Sequence, residues 1–292
     1  MFADQLKKRS KLIDGEGFKN IEDDLLVSVS SPEKNGIGLY LLSNTKIFAV
    51  EEMPCTGITM SDEALFVSKA FADHLRLFKI AAESRKEIVD TSFGDVHDIK
   101  FFDGKIYIVS TGTNEVVSIS ADFDGKIIDR WRFSGCGESW HLNCLDVWND
   151  RLVVSAFGEF GYYREYQRQD KRGRGIVVDV ATKEIVWNGL STPHNPRLDK
   201  SGRRLICDSY TSRVLLETAD RKSSEISFAG AFTRGLAVGN KHLYVGLSAL
   251  RRGGKINTTI NCATVSLVDP QTLEQVDSVA LPASEIYDIL VI

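Results

Sequence analysis

The apolar residues of this chain fall into short runs separated by polar turn residues. Most runs hold about five to seven residues rich in Val, Ile and aromatic side chains, and Asp, Asn and Gly interrupt them. This pattern predicts many short β-strands joined by tight turns. After residue 24 no stretch has the periodicity of an amphipathic helix, whereas the earlier segment DQLKKRSKL predicts one or two helical turns.

The apolar runs repeat as a larger unit. The segment VHDIKFFDGKIYIVSTGTNEVVSIS contains a strand, a turn at Asp103-Gly104, a second strand, a short loop and a third strand, and KIIDRWRF follows as a fourth. The same order recurs at intervals of 38 to 53 residues, marked by the first apolar residue after each turn: Leu65, Ile106, Leu152, Leu205 and Leu243. A repeat of about 40–50 residues with four strands is typical of a β-propeller blade.

The two ends of the chain have the patterns of complementary parts of one more blade. EIYDILVI has the pattern of a lone first strand, and DDLLVSVSSPEKNGIGLYLLSNTKIFAV that of second to fourth strands. Pairing them closes a ring that has no exposed edge between first and last blades. We therefore predict an all-β, six-bladed β-propeller over residues 24–292, preceded by an N-terminal tail over residues 1–23. The alternative, a β-sandwich, lacks this period and this pair of ends.

Charge and composition narrow the classes of partner. The 292 residues carry a formal charge of −4, which gives no overall preference for nucleic acid. The first 24 residues lack the apolar centre of a secretory signal, and no run approaches the ~18 apolar residues that span a bilayer. The five cysteines are scattered and form no C-x-x-C pair, which predicts free thiols. We expect a cytoplasmic protein that binds neither nucleic acid nor membrane; a homo-oligomer stays open.

Three of the five histidines occur at similar places in consecutive units. His97, His141 and His194 each lie at or just before the start of a first strand, and first strands line the channel of a propeller. Three neutral imidazoles that face one axis can ligate a divalent metal such as Zn, Mn or Ca. Alternatively, one of them acts as a general base without a metal. The registers of His97 and His141 differ by two residues, which argues against a single meeting point.

Two insertions between second and third strands, residues 157–175 and 247–262, are expected on the same face as the histidines. Both are rich in basic side chains and the first adds tyrosines, which favours an anionic ligand such as a carboxylate, a phosphate or a charged sugar. In the first insertion, Tyr162 and Tyr163 are candidates for a lid and for a proton donor. Either Asp98, which follows His97, or Glu159 of the insertion is expected to orient a histidine. The candidate ligand-binding residues are Asp98, Asn143, Asn195, Arg197, Arg234, Glu159, Tyr210, Arg251 and Arg252.

Several segments also resemble a known family. VHDIKFFDGKIYIVST, WHLNCLDV, STPHNPRLDKSGRRLICDS and TRGLAVGNKHLYVGLS resemble bacterial conserved hypothetical proteins of unknown function, over about residues 20–292. The resemblance implies a propeller-like fold and no established activity. More loosely, histidines around a six-bladed channel are similar to those of metal-dependent propeller enzymes: peptide-amidating lyases, oligogalacturonate lyases and plant-type glutaminyl cyclases.

Two functions are compatible with these patterns. The first is an enzyme at the channel mouth, a lyase, epimerase or hydrolase that acts on a small anionic molecule or sugar derivative, with or without a metal. The second is a non-catalytic propeller that binds a protein or glycan through its basic, tyrosine-bearing face. The chain has no G-x-S-x-G, P-loop or G-x-G-x-x-G motif, so serine hydrolases and nucleotide-phosphate sites have no motif support.

Overall fold

The computed structural model describes residues 2–13, 15–19, 21–32, 37–69, 74–249 and 260–292. The chain begins with helix α1 (Phe2–Arg9) and strand β1 (Lys11–Ile13), followed by β2 (Asp24–Pro32), β3 (Leu39–Ser43) and β4 (Lys46–Glu51). No helix in these ranges has the length and apolar character needed to cross a membrane.

Five four-stranded antiparallel sheets follow in chain order. Blade 1 comprises β5 (Cys55–Met60), β6 (Ala64–Lys69), β7 (Leu75–Ala81) and β8 (Arg85–Asp90). Blade 2 comprises β9 (Val96–Phe102), β10 (Lys105–Ser110), β11 (Glu115–Ser120) and β12 (Ile127–Arg132). Blade 3 comprises β13 (Leu142–Trp148), β14 (Arg151–Ala156), β15 (Gly175–Asp179) and β16 (Ile185–Leu190). Blade 4 comprises β17 (Pro193–Leu198), β18 (Arg204–Asp208), β19 (Arg213–Glu217) and β20 (Ser223–Ser227). Blade 5 comprises β21 (Phe232–Val238), β22 (Leu243–Ser248), β23 (Thr264–Val268) and β24 (Gln275–Ala280).

The sixth blade joins both parts of the chain and closes the ring. Strand β25 (Ala283–Val291) is its innermost strand and pairs antiparallel with β2, from Leu25 opposite Val291 to Pro32 opposite Ala283. The innermost strands β5, β9, β13, β17, β21 and β25 contact their neighbours in a closed cycle. The predicted six-bladed propeller with a composite last blade is therefore confirmed.

The segment before residue 24, described from the sequence as a tail, contributes to this blade. The helical turns expected there are α1, and β1 pairs with β4 as a fifth, outermost strand. Leu6 of α1 is buried in the apolar cluster between the sixth and first blades. The side chains of this segment thus belong partly to the packed ring.

The apolar core is divided among the interfaces between blades. Six clusters of buried residues each join one pair of neighbouring blades, as Phe66 of blade 1 and Ile106 of blade 2 illustrate. A second strand is covered on both faces, so β6 and β22 are buried at every position, whereas the outermost β8 is largely exposed. Burial on both faces explains why the second strands are almost continuous apolar runs in the sequence.

Turn residues and buried hydroxyls complete this arrangement. The tips Asp103-Gly104 and Asn149-Asp150 have positive φ at both positions, the conformation of a two-residue hairpin turn that their residue types accept. Nearer the axis, hydroxyl groups donate to carbonyl oxygens of the next blade. Ser28 Oγ donates to Thr56 O at 2.5 Å, Thr111 Oγ1 to Leu142 O at 2.6 Å and Ser209 Oγ to Thr233 O at 2.6 Å.

Candidate functional site

The three histidines lie at one mouth of the channel, which we call the histidine mouth. His97 and His194 are the second residues of β9 and β17, and His141 directly precedes β13 in the left-handed conformation, with φ 51°. The insertion of blade 3 starts on the same side, because Leu142 at the start of β13 pairs with Ala156 at the end of β14. The three histidines and the start of the blade 3 insertion therefore lie on the same side of the ring, as the sequence predicts.

The rings form a row. His97 meets His141 edge-on, with ring centroids 4.9 Å apart. Phe157 separates His141 from His194, since its centroid lies 4.1 Å from the first ring and 5.5 Å from the second. Among the described residues no group of three or more His, Cys, Asp or Glu side chains is placed to hold a metal ion. The three rings therefore do not meet at one point, because Phe157 lies between His141 and His194.

Glu138 fixes the orientation of His141. Its Oε1 lies 2.7 Å from His141 Nδ1 and also accepts the hydroxyl of Tyr166, while Oε2 accepts Arg164 Nε at 2.5 Å. A carboxylate at Nδ1 selects the tautomer that carries its proton there, so Nε2 keeps its lone pair. Burial lowers the pKa of His141 to about 4, although the hydrogen bond to Glu138 opposes this effect. His141 is thus a neutral imidazole with a defined basic nitrogen.

The charge on Glu138 is secured by the same contacts. Burial alone would raise the pKa of its carboxyl, but the hydrogen bonds from His141, Tyr166 and Arg164 hold it at about 2. Because Arg164 and Tyr166 belong to the insertion, Glu138 also ties that loop to the mouth. The carboxylate that contacts His141 is therefore Glu138, and not the Asp98 or Glu159 expected from the sequence.

His97 has a carboxylate neighbour of its own. Its Nε2 lies 3.4 Å from Asp95 Oδ2, and its Nδ1 is buried without a hydrogen-bond partner within the described residues. Burial raises the pKa of Asp95, but the hydrogen bond and charge of His97 outweigh this and hold it well below its usual range. Two histidine–carboxylate pairs therefore stand side by side.

His194 is more enclosed. Its Nδ1 lies 2.8 Å from Ser209 Oγ and 3.0 Å from Thr192 O, and its ring packs between Phe157 and Phe232. Burial and the nearby Arg234 charge lower the pKa of His194 well below its usual value. His194 is therefore a neutral side chain that lines the mouth, and its Nδ1 is already hydrogen-bonded within the protein.

Arg234 places two guanidinium nitrogens without hydrogen-bond partners among the described residues at this mouth. Its side chain is buried, with Cζ 3.3 Å from the centre of the Tyr287 ring and Nη1 3.2 Å from Glu285 Oε1. Its Nε and Nη2 are buried and, in the part of the chain that the structure describes, have no hydrogen-bond partner. The Tyr287 ring also lies 5.8 Å from that of His97, so Arg234 belongs to the same mouth.

Four other predicted ligand-binding residues lie in the wall or at the other end of the channel. Asn143 Oδ1 accepts Ser155 Oγ, and Asn195 bonds Gly235 N and Asp288. Asp98 and Arg197 line a separate cavity of about 310 Å³ toward the C-terminal ends of the innermost strands. There Arg197 donates to Asp288 at 2.6 Å and to Leu236 O, while Asp98 accepts two backbone N–H groups. These four side chains already have partners in the protein.

Three further predicted residues, Glu159, Tyr162 and Tyr163, are exposed on the insertion of blade 3. Tyr162 and Tyr163 are 76% and 60% exposed, and Glu159 is exposed as well. Tyr210 faces the cations of Lys171 and Arg172, at 6.0 and 5.7 Å from its ring centroid. Arg251 and Arg252 lie outside the described residues.

The sequence interpretation missed several residues of the mouth. Glu138 was visible as the first residue of ESWH, three positions before His141, and Asp95 stands two before His97. Tyr166 was noted only as one of several loop tyrosines. Glu285 and Tyr287 belong to the last strand, whose inward positions became clear only once β25 was placed next to β21.

Solved structures with this fold come from proteins of different kinds. A nidogen–laminin complex includes a chain with a TM-score of 0.66 and 11% identity, over 91% of this chain and 97% of that one. A protein of unknown function from Bacteroides caccae gives 0.63 and 10%, over 92% and 98%. A Bacteroides fragilis protein proposed to be a 6-phosphogluconolactonase gives 0.56 and 12%, over 92% and 98%. At such identities the likeness concerns the fold alone.

Comparison with curated proteins finds no match. Residues 85–292 match the model of a family described as a domain of unknown function, DUF4915.

Proposed function

The chain belongs to the DUF4915 family, a domain of unknown function, and we propose that it is an enzyme acting on a small anionic substrate at the histidine mouth. The reaction would be of the lyase, epimerase or hydrolase type, in which a proton is removed in the rate-determining chemistry. The single observation that carries the proposal is the Glu138–His141 pair at a mouth that also holds Arg234, whose Nε and Nη2 have no partner among the described residues.

His141 has the properties of a general base. Its neutral state and its Nδ1 contact to a carboxylate leave Nε2 to accept a proton from a substrate carbon or from water. As His141 becomes positively charged, the Glu138 carboxylate stabilises the imidazolium, in the same manner as the acidic member of a catalytic triad. Glu138 itself stays ionised, because three hydrogen bonds hold its charge.

His97 is the natural partner for the return of a proton. Its ring stands 4.9 Å from that of His141 and has its own carboxylate, Asp95. A base and an acid at the starts of neighbouring first strands would serve both elimination and epimerisation, which need proton removal and proton delivery. In hydrolysis the same pair would activate water and protonate the leaving group.

Arg234 supplies the attraction for an anion. A guanidinium held against an aromatic ring with two free N–H groups is suited to an anionic oxygen pair. The insertion of blade 3 would cover the bound molecule, because Arg164 and Tyr166 anchor it to Glu138 at the mouth.

The test is a substrate panel with matched histidine variants. The full chain is incubated in D₂O with small carboxylic acids, sugar acids and sugar lactones, and NMR detects deuterium incorporation or product. We expect turnover of at least one compound, and His141→Gln should reduce it by about 10²-fold or more. His242→Gln, near the start of β22 and away from the mouth, is the control and should leave turnover unchanged. Turnover that survives His141→Gln would contradict the proposal.

The two exposed tyrosines favour a second function. Tyr162 and Tyr163 of the blade 3 insertion are 76% and 60% exposed, and such side chains often anchor protein or glycan partners. In that case the double variant Tyr162→Ala/Tyr163→Ala would abolish partner binding, while His141→Gln would not affect it. The two proposals therefore predict opposite responses to the same pair of variants.

A further inference from the structure

We infer that the anion held at the histidine mouth is a monocarboxylate, bound side-on by the Nε and Nη2 edge of Arg234. This inference rests on the proposed function and narrows its substrate class. It excludes the phosphate esters that a basic face alone would equally accept.

The free edge of Arg234 has the shape of a carboxylate receptor. A guanidinium presents its Nε–H and Nη2–H side by side, and these two parallel donors match the two oxygens of one carboxylate. In this protein Nη1 is occupied by Glu285 Oε1 at 3.2 Å, whereas Nε and Nη2 are the two atoms without a partner in the described ranges. The vacant donors are therefore the matched pair.

Burial makes this vacancy costly. Arg234 is 4% exposed, and both free nitrogens are shielded from water. Buried donors of a charged group are destabilising when unpaired, so a site built this way gains from a ligand that accepts both hydrogen bonds. One carboxylate can accept a hydrogen bond from each donor with a separate oxygen, whereas a hydroxyl or carbonyl group offers both donors only one oxygen.

The plane of the guanidinium is fixed by two side chains of one strand. Tyr287 lies under it with its ring centre 3.3 Å from Cζ, and Glu285 holds its end; both belong to β25. The same tyrosine ring contacts His97, which contacts His141. A carboxylate on Arg234 would thus bring the remainder of its molecule toward the two acid–base pairs.

The local charges favour one negative charge over two. The positive charge of Arg234 is already paired with Glu285, the negative charge of Glu138 is paired with Arg164, and Asp95 adds a carboxylate next to His97. His141 and His194 are neutral, since burial lowers the pKa of both. A phosphate dianion would add twice the negative charge of a carboxylate to a mouth with no spare cation among these groups.

Binding is measured on the full chain with acetate, glycolate and inorganic phosphate as probes, at matched ionic strength and pH 7.5. The readouts are the Arg Nε–H resonances in ¹⁵N NMR and the thermal midpoint. We expect acetate and glycolate to shift the Arg234 resonance, identified by its absence in Arg234→Lys, and to stabilise the protein. Phosphate should do neither at the same concentration.

Two variants and one control sharpen the result. Arg234→Lys keeps the charge and loses the paired donors, so acetate should bind on the order of tenfold more weakly. Glu285→Gln removes one negative charge from the site and should allow phosphate to bind, while carboxylate binding persists. Arg172→Lys changes an exposed arginine of the insertion and should change neither probe.

The outcomes separate this inference from the proposed function. Phosphate binding at Arg234 as tightly as acetate would overturn the carboxylate assignment and leave an anion-binding enzyme in place. Acetate binding that is unchanged in Arg234→Lys would also overturn it. If Arg234→Lys does not fold, the thermal midpoints of the unaltered chain with acetate and with phosphate still decide between the two anions. Loss of the proposed function would appear elsewhere, as turnover that does not depend on His141.

Discussion

Glu138 holds three side chains at once: His141 before blade 3, and Arg164 and Tyr166 in the insertion of that blade. It therefore links the base, its tautomer and the loop above it. A substitution that removes the negative charge of Glu138 but keeps its size distinguishes an electrostatic role of this side chain from a role in packing.

Glu138→Gln should lower the pKa of His141 further, because the carboxylate is the group that opposes the effect of burial. Turnover should fall by on the order of tenfold or more through kcat, since the imidazolium loses its counter-charge. NMR titration of His141 and steady-state kinetics measure the two effects. Glu159→Gln, an exposed carboxylate of the insertion, is the control. An unchanged His141 pKa in Glu138→Gln would show that the pair does not act as a unit.

The buried histidines also predict a pH dependence of folding. The pKa of His141 is about 4 in the folded chain and near 6.5 when exposed, so the unfolded state takes up a proton between these values and the folded state does not. Stability should therefore decrease as pH falls from 6.5 to 4, by roughly 3 kcal/mol for His141. His194 acts in the same direction. Urea unfolding across this range measures the slope, and His141→Gln should reduce it; an equal slope in both proteins would refute this origin.

The sequence predicted which histidines lie at the mouth, but it did not predict which side chains contact them. Repeat position was enough to bring His97, His141 and His194 to one side of the ring. It could not show that Phe157 would stand between two of them, or that Glu138 rather than Glu159 would reach His141. Those contacts depend on a left-handed backbone at His141 and on the path of a loop. Neither feature leaves a periodic signal.

The innermost strands approach one another closely enough to require glycine. A Cβ on Gly57 of β5 would lie 2.4 Å from Ile99 N and 2.7 Å from Asp98 Cα of β9. Because these are backbone atoms of the neighbouring blade, neither can move aside without displacing a strand.

Gly57→Ala should therefore destabilise the protein by about 2–3 kcal/mol, measured as the free energy of unfolding in urea. The matched control is Gly161→Ala in the insertion, where an added Cβ meets nothing within 4 Å. It should change stability by less than about 0.5 kcal/mol. If both substitutions have the same small effect, the innermost strands have more freedom than their spacing indicates.

Strand order was the most predictable feature of the fold. The second strands are buried on both faces, and this produces the apolar runs that fixed the period at Leu65, Ile106, Leu152, Leu205 and Leu243, all of which lie in second strands. The strand β1 was missed because Lys11–Ile13 is short and largely exposed, so burial imposes no pattern on it. Its pairing with β4 comes from the backbone alone.

At the level of the whole ring, the seam between the sixth and first blades uses the same device as the internal seams. Ser28 Oγ donates to Thr56 O and accepts the N–H of Asp288, and Thr111 Oγ1 donates to Leu142 O between blades 2 and 3. The seam that closes the ring is thus bonded in the manner of a continuous one.

Ser28→Ala should destabilise the ring by about 1–3 kcal/mol, because it leaves buried backbone groups without a partner. Thr111→Val, which keeps the side-chain shape, is the comparison at an internal seam and should have an effect of similar or smaller size. Both proteins should still unfold in one cooperative transition, as followed by tryptophan fluorescence and circular dichroism. An early separate transition in Ser28→Ala would instead mark the closing seam as the weak point of the ring.

The position of β25 has a consequence for biosynthesis. It follows every other described strand along the chain, yet it is the innermost strand of its blade and carries Glu285 and Tyr287. While the ribosome is still extending the chain, five blades can form in order, but the last one waits for this strand. Arg234 gains both of its flanking side chains only at that moment. The nascent chain therefore lacks part of the proposed anion site until translation of this strand is finished, and that site is completed in the same step in which the ring closes.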